Sequence, residues 1–434
     1  AKPPLSRSQS KSAQAPPPTL QQLEAHTERS PDNASAWKAL GRHLLTAGEV
    51  ESARQAAERA TALAAEDNDA WQLLAQVEVK ANRPNLAQGF FEHALTLRED
   101  SVDALYGLGN LLAGQERNRE ALVHLEKILE LQPRHNGALL LKARALTKLA
   151  QYDEAAQLCT MLIRQDPRNA PVYWIDLGHV KRDLSLFDEA ESCYRQAAKL
   201  SPTFRAAALS NLLTLLHYMP GKSAEEILQV CQEWGDTFSP RQAVIRPTPS
   251  DRSPDRVIRV GMFSDGFRQH PVAAMTLPAL EQLAQYGIEI YAYTSNAMVD
   301  AMTQRMMRLA RKWTSIAVMS DLEFVRMLRA DGIDILIDLS GHNSGTRMAA
   351  VALEPAPVII KWVGGLINTT GVKAIDYLIT DSVESPPGAD SFYTEKLIRM
   401  PDDYVTYLPP ARVPEVAPLP ALKNGYVTFG CFNN

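Results

Sequence analysis

Trp37-Lys38-Ala39-Leu40-Gly41 (WKALG) returns 34 residues later as Trp71-Gln72-Leu73-Leu74-Ala75 (WQLLA). The frame recurs at Leu105, Leu108 and Gly109, at Leu139, Lys142 and Ala143, and, after a 35-residue step, at Trp174, Leu177 and Gly178. A second frame follows in each unit. Ala53, Ala87, Ala121, Ala155 and Ala190 share one position; Ala57, Phe91, Leu125, Cys159 and Tyr194 stand four residues on; Ala60, Ala94, Ile128, Leu162 and Ala197 three further. Pro133, Pro167 and Pro202 close three of the units.

Small residues at fixed points let two antiparallel helices approach, and large apolar residues fill the gaps beside them. The closing proline stops the second helix. One such unit cannot bury its own apolar face, so units must stack. The spacing is that of the tetratricopeptide repeat, and about five repeats are expected over residues 34–205, behind a flexible leader and solenoid start at 1–33. A solenoid of this kind holds another chain, or an extended segment, in its groove.

The composition narrows the function. The 434 residues carry a net charge of -5, which argues against nucleic acid as the partner. A hydrophobic fraction of 45% suits packed cores. Cys159, Cys193, Cys231 and Cys431 are widely spaced, with no CxxC pair; thiols in a reducing cytoplasm are the expectation, with no metal site. No apolar run reaches the roughly 18 residues of a membrane helix. Residues 1–18 (AKPPLSRSQSKSAQAPPP) are polar and proline-rich and read as a flexible leader.

Beyond the repeats, residues 206–218 and 223–238 read as helices that cap and connect, and residues 239–255, rich in proline, as a linker. The period then changes. Strands are expected at 256–263, 288–294, 333–339, 358–363 and 375–379, with helices at 272–286 and 321–330 between them. That alternation means a parallel α/β sheet, whose ligands bind beyond the carboxyl ends of the strands.

The rule selects two loops: Ser264–Pro271, carrying His270, and Ser340–Gly345, carrying His342 behind Asp338. If they meet, two imidazoles and a carboxylate come together for proton transfer near neutral pH. Each also has a plainer reading, His270 as the residue ahead of a helix that starts at Pro271 and Asp338 as a backbone acceptor. Neither a GxGxxG after the first strand nor a GxxxxGK[ST] occurs. Residues 363–371 (VGGLINTTG) would offer backbone N–H groups to a phosphate or sugar, or form a plain turn. Arg305, Arg308 and Arg311, with Lys312 beside the last, step along a helix and read as a solvated face.

Tetratricopeptide repeats followed by SNLLTLLHYMPG, VGMFSDGFRQHP, DILIDLSGHNSGTR, PAPVIIKWVGG and IDYLITD resemble the O-linked N-acetylglucosamine transferases, in particular a bacterial homologue with few repeats. The resemblance covers about residues 34–434. It implies a solenoid fused to two Rossmann-like halves, the GT-B arrangement. It also implies inverting, metal-independent transfer of N-acetylglucosamine from UDP-GlcNAc to Ser or Thr of an acceptor protein held in the repeat groove, with no cofactor, nucleic acid or membrane. By the same resemblance His270, Asp338 and His342 would be catalytic, and Pro271, Gly364, Gly365, Leu366, Thr369 and Thr370 would bind substrate. The loop carrying the last five is one residue longer than the family's and lacks its Tyr-Pro. Residues 256–407 would be the first catalytic half, 408–424 the interdomain linker and 425–434 the first strand of a second half, leaving most of the donor site outside these residues. Two other readings stand beside this one: a repeat scaffold with a non-catalytic α/β module, and the same fold using another nucleotide sugar such as GDP-fucose.

Overall fold

The computed structural model describes residues 18–240, 242–249, 251–296, 298–343, 345–365, 368–407 and 412–430. Leu366 therefore lies outside the described residues, as do residues 1–17 of the leader, 408–411 and 431–434. The chain divides into two compact units between Ser201 and Pro202.

The first unit is helical. A leading helix, α1 (Leu20–Arg29), precedes five antiparallel pairs: α2 (Ala34–Ala47) with α3 (Val50–Leu63), α4 (Asn68–Lys80) with α5 (Pro84–Leu97), α6 (Val102–Gly114) with α7 (Asn118–Leu131), α8 (Asn136–Lys148) with α9 (Tyr152–Gln165), and α10 (Ala170–Asp183) with α11 (Phe187–Leu200). Side-chain caps start several of them. The Asn33 carboxamide oxygen accepts from Ser35 N and Ala36 N at 3.0 and 3.2 Å, and Asp67 accepts from Asp69 N at 3.0 Å.

Each repeated small or apolar position of the second helices is sealed: Ala53, Ala87, Ala121, Ala155 and Ala190 are 0% exposed, as are Ala57, Leu125, Cys159 and Tyr194, with Phe91 at 1%. The reason for small residues in the first helices is equally direct. A Cβ on Gly178 would stand 2.5 Å from the Tyr194 ring, and one on Gly107 2.4 Å from the Phe91 ring. Lys142 takes the place of the usual leucine by bridging Glu126 and Glu154 at 3.4 and 3.0 Å. Between the two helices of each pair the chain turns through a left-handed residue at the same point every time: Gly48, Asn82, Glu116, Ala150 and Ser185.

In the second unit come α12 (Pro202–Leu216) and α13 (Ala224–Asp236), then a seven-stranded parallel sheet. Both helices thus belong with the sheet, where the sequence suggested a cap and connector. Ser223 caps α13 in a capping box with Glu226, and Val230, Cys231 and Trp234 are its buried face. The sheet runs β1 (Ile258–Ser264), α14 (Pro271–Leu283), β2 (Ile288–Thr294), α15 (Ala301–Leu309), β3 (Ala310–Ser315), α16 (Asp321–Ala330), β4 (Ile335–Asp338), α17 (Met348–Val351), β5 (Val358–Lys361), β6 (Tyr377–Asp381) and β7 (Lys396–Met400). Its order is β3-β2-β1-β4-β5-β6-β7. Apolar strand faces meet α14 and its neighbours through Val260, Met262, Ile290, Leu277 and Ile337.

Three differences from the sequence reading have physical causes. The arginine-bearing helix ends at Leu309, so Arg311 and Lys312 lie in β3, at the sheet edge, where polar side chains are tolerated. Arg305 pairs with Glu281, Arg311 with Glu289 and Lys312 with Asp331, so these cations are internally matched. β7 is the opposite edge strand; its alternating exposed residues hid it. Residues 425–430 are not a strand, although the sequence suggested one; a short helix, α18 (Pro420–Asn424), precedes them.

Candidate active site at the carboxyl edge of the sheet

β1 pairs with β2 on one side and β4 on the other, which makes the β1/β4 crevice the point where strand order reverses. Such crevices are where parallel sheets bind ligands. Phe263 of β1 stands in register with Asp338 of β4, and Asp338 with Lys361 of β5. The loops after these strands therefore leave the sheet side by side.

In the first loop, Ser264 Oγ accepts from Gly266 N at 2.9 Å. A Cβ on Gly266 would come within 2.8 Å of His270 Nδ1, so only glycine lets the loop close over the ring. His270 caps α14: its Nδ1 accepts from Val272 N at 3.2 Å, with exposed Pro271 as the first helical residue. An acceptor nitrogen carries no proton, so in the neutral ring the proton sits on Nε2. Burial, then the nearby Arg268 charge, holds this imidazole below its usual pKa. His270 thus presents an N–H donor, not a base, at Nε2.

Asp338 is fully buried. Its carboxylate accepts from Ser340 N at 2.8 Å and from Gly341 N at 2.9 Å, folding the second loop back on the strand end. Burial pushes its pKa up, against the pull of Lys361 and these amides. His342 turns away from the first loop. Its ring packs against Trp234 of α13, centroids 4.0 Å apart and planes tilted by 54°, and its Nε2 donates to Thr369 O at 3.5 Å. Burial pushes it down to about 4, so it is neutral.

The third loop lies backbone to backbone on the second. A Cβ on Gly364 would stand 1.9 Å from Leu339 O, and one on Gly365 2.9 Å from Ser340 O. That explains both glycines. The threonines expected to meet the donor are instead spent inside. Thr369 Oγ1 donates to Glu395 at 2.7 Å; Thr370 donates to the same carboxylate through N, at 2.8 Å, and through Oγ1. Both are buried. What this loop offers a ligand is its main chain at Gly364 and Gly365.

The three loops meet: a Cβ on Gly345 would stand 3.0 Å from the Asp265 Cβ. The side chains do not converge as expected. Among the described residues no hydrogen bond joins His270 to His342 or Asp338. Sequence reasoning missed Lys361, Glu395 and Trp234. A lysine inside the apolar run PVIIKWVGG was a readable signal, because lysine is seldom buried without partners.

This edge also gathers buried polar atoms that have no hydrogen-bond partner among the described residues: Trp234 Nε1, Arg268 Nε, Ser295 Oγ, Ser340 Oγ, His342 Nδ1, Thr346 Oγ1 and Asn368 Oδ1. Such atoms take ordered water or the polar groups of a ligand as partners. A cavity of about 500 Å³ opens at the other end of the strands, lined by Pro247, Arg256 and Asp334 among others. There Asp334 is already bound to Arg256, at 2.7 Å, and to Arg259 N, at 2.9 Å. Among the described residues no group of three or more His, Cys, Asp or Glu side chains gathers to hold a metal ion, and no helix is long and apolar enough to cross a membrane.

Comparison with known proteins agrees with this architecture. Residues 223–407 match the family model described as Glycosyl transferase family 41, and residues 34–77, 112–175 and 172–204 match tetratricopeptide repeat models. The chain is 31% identical over 240 residues to the probable UDP-N-acetylglucosamine–peptide N-acetylglucosaminyltransferase SPINDLY of Solanum lycopersicum, covering 54% of this chain and 26% of that protein. It is 29% identical over 150 residues to the UDP-N-acetylglucosamine–peptide N-acetylglucosaminyltransferase of Caenorhabditis elegans, covering 34% of this chain and 13% of that protein. The match thus spans about a quarter or less of these relatives' length. Among solved structures, a mutant O-GlcNAc transferase of Thermobaculum terrenum is 26% identical, with a TM-score of 0.47, over 89% of this chain and 60% of that one.

Proposed function

We propose that the chain is an O-GlcNAc transferase-like protein, its tetratricopeptide repeats followed by a region similar to family 41 glycosyltransferases, and that it takes part in moving N-acetylglucosamine from UDP-GlcNAc to Ser or Thr of a protein bound by the repeats. The observation that carries the reading is the set of buried polar atoms at the carboxyl edge, inside the region similar to family 41, that have no partner among the described residues and lie around the loops carrying His270, Asp338 and Gly364.

In the proposed reaction the acceptor hydroxyl oxygen attacks the anomeric carbon. The new C–O bond forms as the bond to the diphosphate breaks, and UDP leaves from the opposite face, which inverts the centre. The nucleotide sugar is a substrate, and the proposal needs no metal. His270 directs its Nε2–H at an oxygen of the sugar, acceptor or diphosphate. Because that nitrogen is protonated, the acceptor's proton leaves to water or to a phosphate oxygen of the departing UDP. Asp338 and His342 hold the second loop, and Gly364 and Gly365 approach the donor through backbone.

The test is transfer by the full-length protein to a peptide panel, offering UDP-GlcNAc and GDP-fucose in parallel and reading peptide mass. Addition of N-acetylhexosamine from UDP-GlcNAc supports the reading. Addition of fucose alone replaces the donor, and no transfer from either leaves the scaffold reading standing.

A further inference from the structure

We propose that Lys361 and Glu395 are positioning residues, a buried cation and a buried anion that fix the loop between β5 and β6 at both ends. The inference rests on reading this edge as a sugar-transfer site, and it names what gives the donor-facing main chain its shape.

Lys361 is 4% exposed. Its Nζ donates to Val363 O and to Gly364 O, the latter at 2.6 Å, with Trp362 O at 3.5 Å. An ammonium has three protons, and three carbonyls surround this one. With those carbonyls drawn inward, Val363, Gly364 and Gly365 take φ values of +35°, +69° and +74°. For glycine that is unstrained. For β-branched Val363 it is strained and persists only where the surroundings impose it. Lys361 is the group that imposes it.

The far end is held by the opposite charge. Glu395, also 4% exposed, takes the Thr369 hydroxyl and both the N–H and hydroxyl of Thr370. A third buried charge completes the set. Asp338 stands in register with Lys361 across β4 and β5 and holds the amides of Ser340 and Gly341. Loops two and three therefore hang from alternating charges, Asp338, Lys361 and Glu395. Stability alone does not call for this, since buried ionic groups are often matched or bettered by apolar ones of similar size. Holding main chain in one shape at a site does.

Hydrogen exchange of the 434-residue chain tests the proposal without relying on activity. Lys361→Met is expected to speed exchange across residues 362–371 by on the order of tenfold or more, with β1 and β4 unchanged. Glu395→Ala is expected to loosen 368–371. The double variant Lys361→Met/Asp338→Asn removes the charge imbalance without restoring a donor to the carbonyls and is expected to stay loose. Wild-type protection in the double variant would show that Lys361 only neutralises Asp338, and would overturn the proposal, as would unchanged exchange in Lys361→Met. If Lys361→Met does not fold, Lys361→Arg keeps the charge but shifts the donors; loosening confined to 362–365 supports the role, and none overturns it.

In transfer assays of the full-length protein, Lys361→Met is expected to raise KM for the donor about tenfold to a hundredfold while KM for the acceptor peptide changes little. Equal rises in both contradict a donor-loop role. If the wild-type protein transfers no sugar, the functional reading fails while the exchange result still decides the role of Lys361.

Discussion

Gly235 of α13 and Gly371 of the third loop each stand where a side chain would strike facing backbone: a Cβ on Gly235 would stand 2.0 Å from Gly371 O, and one on Gly371 2.0 Å from Cys231 O. Around this seam Asn368 donates to the Cys231 sulfur at 3.2 Å, and Trp234 packs against the His342 ring. The helix is therefore a wall of the candidate site. Gly235→Ala would gain about 1 kcal/mol from helix propensity. Overpacking against backbone costs about 1–3 kcal/mol and outweighs it. The expected result is a lower urea midpoint with an unchanged slope; a stabilised variant would show that the seam is loose.

The acid limb of stability should carry the signature of His342. Its folded pKa is about 4 against a usual 6.5. Between those values the unfolded chain binds a proton that the folded chain refuses, so stability rises with pH across that window. The full difference is present above about pH 6.5 and is lost as pH falls through 4. One group with that shift accounts for up to about 3 kcal/mol. His342→Gln should flatten the unfolding free energy between pH 4 and 6.5 relative to wild type; parallel curves would mean that the ring is not held neutral.

The repeat turns predict a gain. Ala150 has φ +59° at the position where the first repeat has Gly48 at +84°. A left-handed conformation costs an L-residue roughly 1–2 kcal/mol, part of which glycine returns as chain entropy. Ala150→Gly should therefore raise the thermal midpoint, by about 0.5–1 kcal/mol of stability. A loss on calorimetry would show that the turn is not strained.

The repeats were legible because their packing demands residue size at fixed spacing, and size is written in the sequence: Ala121 cannot be large where α6 crosses it, and Leu125 must fill the gap beside it. Their shared left-handed turn was not legible. Glycine, asparagine, glutamate, alanine and serine occupy it, because hydrogen bonds of the flanking helix ends impose the backbone there, as in Arg83 N to Glu78 O and Gln151 N to Leu146 O.

At the site, strand alternation located the loops that carry His270, Asp338 and His342, which do leave the carboxyl ends of β1 and β4 side by side. Side-chain direction was beyond the sequence. His342 is turned by Trp234, far earlier in the chain, and Thr369 and Thr370 are claimed by Glu395, which sits just ahead of an edge strand whose pattern is weak. Local spacing does not encode partners that only the fold brings together.

In the proposed reaction His270 is the side chain that meets the reacting oxygens, through the Nε2–H that remains when Nδ1 accepts from Val272 N. The most direct measurement is kcat of the full-length protein with UDP-GlcNAc and an acceptor peptide, both saturating, for wild type, His270→Gln and His270→Ala. The account predicts a loss of roughly a hundredfold to a thousandfold for His270→Ala, the scale of removing one preorganised donor, with part of it recovered by the amide N–H of His270→Gln. Full activity in His270→Ala would contradict it.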